Sequence, residues 1–159
     1  MRGGLLLLAA FALFISPDAQ AAKACTEIGC VNGLTLRGDQ SREWKNGNYR
    51  FELVLDNRHV TCYGELPLKP CGEQSLQCDK EGVMITESGC ALPKSQHGFG
   101  DIHINDDPRK VIVRITHNNK PIITKTIVRA EYLESRPNGP GCGPVCRSAS
   151  YDLFSAAGE

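Results

Sequence analysis

From Tyr49 to Leu66 apolar and polar residues alternate in two runs joined by a reversal, a pattern that a β-hairpin satisfies and a helix does not. Tyr49, Phe51, Leu53 and Leu55 fall on one side and Arg50, Glu52, Val54 and Asp56 on the other. That is the period of a strand with one buried face. The chain then returns through His59 to Leu66. A two-residue turn at Asn57-Arg58, where Asn tolerates positive φ, pairs Leu55 with Val60, Leu53 with Cys62, Phe51 with Gly64 and Tyr49 with Leu66. On the other face the same register sets Arg50 opposite Glu65 and Glu52 opposite Tyr63. A slip of one residue would turn the apolar set to water.

The remaining segments are read against that hairpin. Gly33–Arg37 alternates and predicts a short strand, whereas 38–47 is polar around Trp44 and predicts a loop. Residues 67–80 carry Pro67, Pro70 and Gly72 and read as an irregular excursion. Val83–Thr86 predicts a brief strand, 91–100 a loop, and Asp101–Ile104 a strand with both Ile on one face. A second hairpin follows, with Val111, Val113 and Ile115 on one side and Asn118-Asn119 at its reversal. Two registers fit it, Ile115 with Ile122 or Ile115 with Ile123. From about residue 136 the chain is Cys-, Pro- and Gly-rich, and 147–154 predicts one or two helical turns. The whole is all-β: about seven short strands in a single immunoglobulin-like sandwich or partly open barrel. The order Cys30…Trp44…Cys90 agrees with that architecture, but Ser88 stands where a tyrosine corner would need Tyr.

A chain of 159 residues makes one ordinary domain. Residues 1–21 read as a signal peptide: Arg2, an apolar run from Leu5 to Ile15, Pro17, then small residues. The run is too short for a permanent span, and no later stretch approaches membrane length. Cutting after Ala21 leaves 22–159 as the mature domain. Cutting after Ala24 would leave Cys25 first, as in bacterial lipoproteins, but Ala22 and Lys23 stand where the lipobox has Leu and a small residue. A lipid anchor at Cys25 is therefore the lesser alternative. Eighteen basic and 18 acidic residues balance, with no Lys/Arg run to mark a nucleic-acid footprint.

Eight cysteines, Cys25, Cys30, Cys62, Cys71, Cys78, Cys90, Cys142 and Cys146, predict four disulfides and an oxidising compartment. Nearness brackets Cys25 with Cys30 and Cys71 with Cys78, leaving Cys62 to reach the Val83–Cys90 segment. Cys142 and Cys146 join each other or partners such as Cys30. Cys142-Gly-Pro-Val-Cys146 also resembles the thioredoxin motif with one residue added, and its spacing resembles that of Cu(I) chaperones. Neither resemblance comes with the βαβ context its chemistry needs.

Other constellations are thin. His59, His97, His103 and His117 lack zinc-ligand spacing and read as exposed and unligated. Asp101, Asn105, Asp106 and Asp107 lack calcium-loop spacing and read as a turn before Pro108. Arg37-Gly38-Asp39 spells an integrin tripeptide, a short motif with a high false-positive rate. Trp44, Tyr49 and Tyr63 would make a sugar platform only if Tyr49 were not core. Ser88 lies in no nucleophile elbow. No catalytic, cofactor or metal residue is assigned.

The signal peptide, Cys30-Val-Asn-Gly-Leu34, Ser88-Gly-Cys-Ala-Leu-Pro93 and Pro137-Asn-Gly-Pro-Gly-Cys-Gly-Pro-Val-Cys146 together resemble uncharacterised secreted proteins and lipoproteins of Gram-negative bacteria. The resemblance implies a secreted or periplasmic location and transfers no activity. The expectation is an exported non-enzymatic binding or structural module whose partner is a protein or cell-envelope component. Two alternatives stand beside it. One is a secreted protease inhibitor presenting loop 67–78 or 91–100; the other is a thiol-redox or Cu(I) protein using Cys142 and Cys146.

Overall fold

The computed structural model describes residues 24–39 and 41–154, so the expected signal peptide lies outside the described residues. The strands are β1 (Gly33–Arg37), β2 (Gly47–Leu55), β3 (Arg58–Leu66), β4 (Leu76–Cys78) and β5 (Val83–Ser88), then β6 (Gly98–Ile104), β7 (Lys110–His117), β8 (Lys120–Val128), β9 (Leu133–Ser135) and β10 (Cys146–Asp152). They form two five-stranded sheets, ordered β5-β6-β1-β10-β9 and β4-β3-β2-β7-β8. Leu34, Leu36, Ile102 and Ile104 of the first sheet and Phe51, Leu53, Val60, Val111, Val113 and Ile115 of the second are buried in one core. The architecture is thus the expected sandwich, with its edges unjoined rather than closed into a barrel.

The central hairpin keeps its predicted faces but not its register. Leu53 pairs with Val60, Phe51 with Cys62 and Tyr49 with Gly64, a shift of two residues that preserves which side each residue takes. The turn sits at Asp56-Asn57, with Asp56 at φ 52°. Its carboxylate explains the choice: it accepts the backbone N–H of Arg109 at 3.2 Å and of Lys110 at 2.8 Å, capturing the entry to β7. Arg50 consequently lies opposite Tyr63 and pairs with Glu52 on its own strand. Asp56→Ala loses both acceptors and puts at the turn a residue that tolerates positive φ less well than Asp does. Urea unfolding should register a loss of about 2 kcal/mol, and less for Asp56→Asn.

Both registers read for the second hairpin occur in it. Next to the turn Thr116 pairs with Pro121, whereas farther along Ile115 pairs with Ile123. Ile122 is the extra residue of a bulge between them. Residues 147–154 are not helical. Strand β10 runs parallel to β1, with Ala149 beside Leu34 and Tyr151 beside Leu36. Ala149, Tyr151 and Leu153 turn inward at the spacing of a strand, and Cys146 fixes its start.

The disulfides are Cys25–Cys142, Cys30–Cys146, Cys62–Cys78 and Cys71–Cys90. The brackets drawn from nearness are therefore wrong. Cys62 does face the core, but its partner lies directly opposite on β4, and the sulfurs of Cys142 and Cys146 bond different N-terminal cysteines. A thioether lipid and a disulfide are mutually exclusive uses of one sulfur, and Cys25 has the disulfide. Asn138 reinforces the same junction. Its Oδ1 accepts from Thr26 Oγ1 and Ile28 N, and its Nδ2 donates to Ile28 O and Gly143 O, all within 2.9 Å.

Candidate binding cleft

The candidate site grows out of one irregularity in β6. Ile102 pairs with Ile85, but Phe99 pairs with Glu87, so two residues, Gly100 and Asp101, stand opposite Thr86. Such a bulge reverses the alternation and re-aims the side chains beyond it. Phe99 therefore points inward like Ile102. Its ring lies 5.3 Å from Trp44, 5.3 Å from Tyr49 and 5.2 Å from Phe51, each edge to face, the favoured arrangement for aromatic quadrupoles. Gly98 admits the indole: a Cβ there would stand 2.6 Å from Trp44 Cδ1. Trp44, read as part of a polar loop, is 9% exposed and belongs to the core.

Above this cluster lies a cleft of about 720 Å³ between Asp39 with residues 41–44 on one side and residues 86–101 on the other. One wall is bound to loop 67–75 by Cys71–Cys90 and by His97. The buried imidazole accepts the Leu68 N–H at Nδ1 and donates from Nε2 to Leu92 O, both at 3.0 Å. His97→Ala would strand the Leu68 N–H inside the loop junction. We expect about 2 kcal/mol lower stability in urea and faster exchange of the Leu68 amide, with the central hairpin amides unchanged.

On the opposite wall the Arg42 guanidinium lies 4.6 Å over Phe154 and 5.7 Å from the Trp44 ring. Asp39 accepts from the hydroxyl and N–H of Ser41, which hold its carboxyl below the usual range. Asp101 accepts the Gly38 N–H at 2.8 Å and Glu87 the Ser75 N–H at 2.9 Å. Backbone donors thus orient three carboxylates of the cleft, and Glu43 adds a fourth.

The residues singled out from sequence are dispersed. Tyr49 is core, as read, and donates to Lys45 O at 2.6 Å; Tyr63 is 58% exposed on the outer face of the same sheet, so no three-ring platform forms. His103 lies on the outer face, as read, and meets Thr35 Oγ1; His117 stacks on Tyr49 at 4.6 Å; His97, read as exposed, is buried. Arg37 pairs with Asp152 at 2.9 Å, and Gly38 packs against Gly100, so Arg37-Gly38-Asp39 does not protrude as a recognition loop. Asp106 faces Arg58 and Asp107 faces Arg147, away from Asp101. Among the described residues no three His, Cys, Asp or Glu side chains converge as metal ligands. In loop 91–100, offered as an inhibitor loop, the Leu92 N–H closes a turn on Gly89 O, Lys94–Gln96 form a 3-10 turn, and Gly98 begins β6.

Fold and cleft together define a disulfide-stapled β-sandwich with an acidic-rimmed depression over an aromatic floor. No protein family, curated protein or solved structure matches the chain. No described helix is long and apolar enough to cross a membrane, and four disulfides are compatible with an extracellular or periplasmic location.

Proposed function

We propose that this chain is an exported, non-enzymatic binding module of the periplasm or cell surface, and that it holds a protein or cell-envelope partner at the cleft between residues 41–44 and 86–101. One observation carries the reading: both walls of the cleft are braced by contacts within the chain itself. Cys71–Cys90 and His97 fix one wall, while Arg42 packed on Phe154 fixes the other. A surface that needs no ordering on association loses less entropy on binding. The disulfides suit an oxidising compartment.

A photo-crosslinking residue at exposed Gln96, on the cleft, and another at exposed Thr126, on the distant strand β8, test the reading in intact cells. Discrete covalent adducts at position 96 and none at 126 are expected. Adducts at 126 alone, or turnover of substrates by the purified oxidised protein in a hydrolase screen, would remove it.

A further inference from the structure

The four sheet edges are not protected alike. An edge strand offers unpaired N–H and C=O groups to any passing strand, and proteins blunt it by shortness, Pro, Lys, bulges or inward charges. Strands β4 and β9 have three residues each. Strand β8 carries Pro121, the inward, buried Lys125 and the bulge at Ile122. Strand β5 is the least protected of the four. It has six residues, no Pro, no Lys or Arg, the irregularity facing it belongs to β6, and its one charge on the inward side, Glu87, stands near its end and accepts the Ser75 N–H.

β5 is also the edge with room beside it. A groove of about 620 Å³ runs between β5 and β4, along the open seam of the sandwich. Asn105 N–H donates to Gly82 O, which makes Gly82–Asn105 a hydrogen-bonded pair of the β5–β6 ladder. By the alternation of an antiparallel ladder the backbone groups of Val83 and Ile85 then face the groove. Its apolar lining is Leu76, Val83 and Ile85, and its rim has Asp79, Glu81 and Glu87 against Lys80 alone.

We propose that β5 takes an extended segment of a partner protein as an added strand. Main-chain bonds to Val83 and Ile85 would hold it, apolar side chains at every second position would enter the groove, and basic residues would flank them. The β5 edge, roughly 20 Å long, accommodates about six residues of such a segment. This inference rests on the reading of the chain as a binding module and adds a second contact surface, on the β4 side of β5, with its own mode and chemistry of recognition.

The test uses the oxidised protein and a synthetic ten-residue peptide alternating Val and Thr with Lys at both ends. Saturable binding is expected, with slower amide exchange at Val83 and Ile85. N-methylation of the peptide on its β5-facing amides, or Val83→Pro in the protein, should weaken binding at least about tenfold, and terminal Glu for Lys should weaken it several-fold. Pro is tolerated at the first residue of a strand, and the methylated peptide leaves the protein untouched if the variant fails to fold. Binding indifferent to N-methylation would overturn strand addition. So would no binding at millimolar peptide, or a concentration-dependent dimer abolished by Val83→Pro, which would make a second copy the occupant. Adducts at Gln96 without peptide binding would remove this inference and leave the binding-module reading standing.

Discussion

Removing both terminal bridges, Cys25–Cys142 and Cys30–Cys146, should cost more than twice the removal of either. Each bridge alone closes a ring of sequence separation 117 or 116. In the chain-entropy account such a ring restricts the unfolded chain by about 5 kcal/mol. With one bridge present, however, the second closes only the short circuit through Cys25 to Cys30 and Cys142 to Cys146. A ring of about ten residues is worth roughly 2.7 kcal/mol. Replacing one pair by Ala should therefore lower stability by about 3 kcal/mol, and replacing both by about 7–8 kcal/mol, leaving a coupling of about 2 kcal/mol. Since a domain's whole stability is on the order of 5–15 kcal/mol, the double replacement should leave a substantially unfolded chain at 37 °C. Urea midpoints of the two single-bridge variants and the double variant decide it. Strict additivity would mean that the bridges act on separate parts of the unfolded ensemble.

The disulfides show what local pattern can and cannot reveal. Cys62 was placed on the core face by alternation alone, and it is there, 0% exposed. Its partner was not legible, because β4 is three residues long and leaves no alternation to read. Nearness in sequence likewise paired Cys25 with Cys30. Both instead lie beside the C-terminal loop, because β10 returns parallel to β1 across the middle of the sheet. That return is a long-range event, and Ala149, Tyr151 and Leu153 carry only a faint strand signal between small polar residues. The central hairpin divides the same way. Its faces follow from parity, which the sequence displays. Its register depends on Asp56 reaching the N–H groups of Arg109 and Lys110, more than fifty residues away.

The cleft was the least legible part, and for a reason seated in β6. Alternation identifies Asp101–Ile104, then fails at the bulge, so Gly98 and Phe99 are left in a loop and Trp44 loses the partner that explains it. A signal was present: Gly98-Phe99-Gly100 sets an aromatic between two residues without side chains, a spacing that lets a ring turn inward while other groups approach the backbone closely. Gly98 meets the indole, and Gly100 stands close to Thr86 Oγ1, where a Cβ would be 2.5 Å away. His97 gave no comparable signal, since both of its hydrogen-bond partners are main-chain atoms of irregular segments.

Phe99 is accordingly the side chain on which core and cleft both depend. It is 2% exposed, fills the space above Gly64 and touches the three other rings of the cluster. Phe99→Ala removes those contacts and leaves a cavity that the bulged backbone, tied at Cys71–Cys90, can close only in part. The expected loss is about 3–5 kcal/mol in urea unfolding. Met84→Ala is the matched control: Met84 is 57% exposed on the outer face of β5, and its truncation should cost under about 0.5 kcal/mol. The chain has a single Trp, so its fluorescence reports this cluster without interference. Phe99→Ala should shift Trp44 emission to the red in the folded protein, as water reaches the indole edge that Phe99 covers, while Met84→Ala should leave the spectrum unchanged. A folded Phe99→Ala protein with native emission and native stability would show that the ring does not hold the indole in place, and that the bulge in β6 has no part in forming the cleft floor.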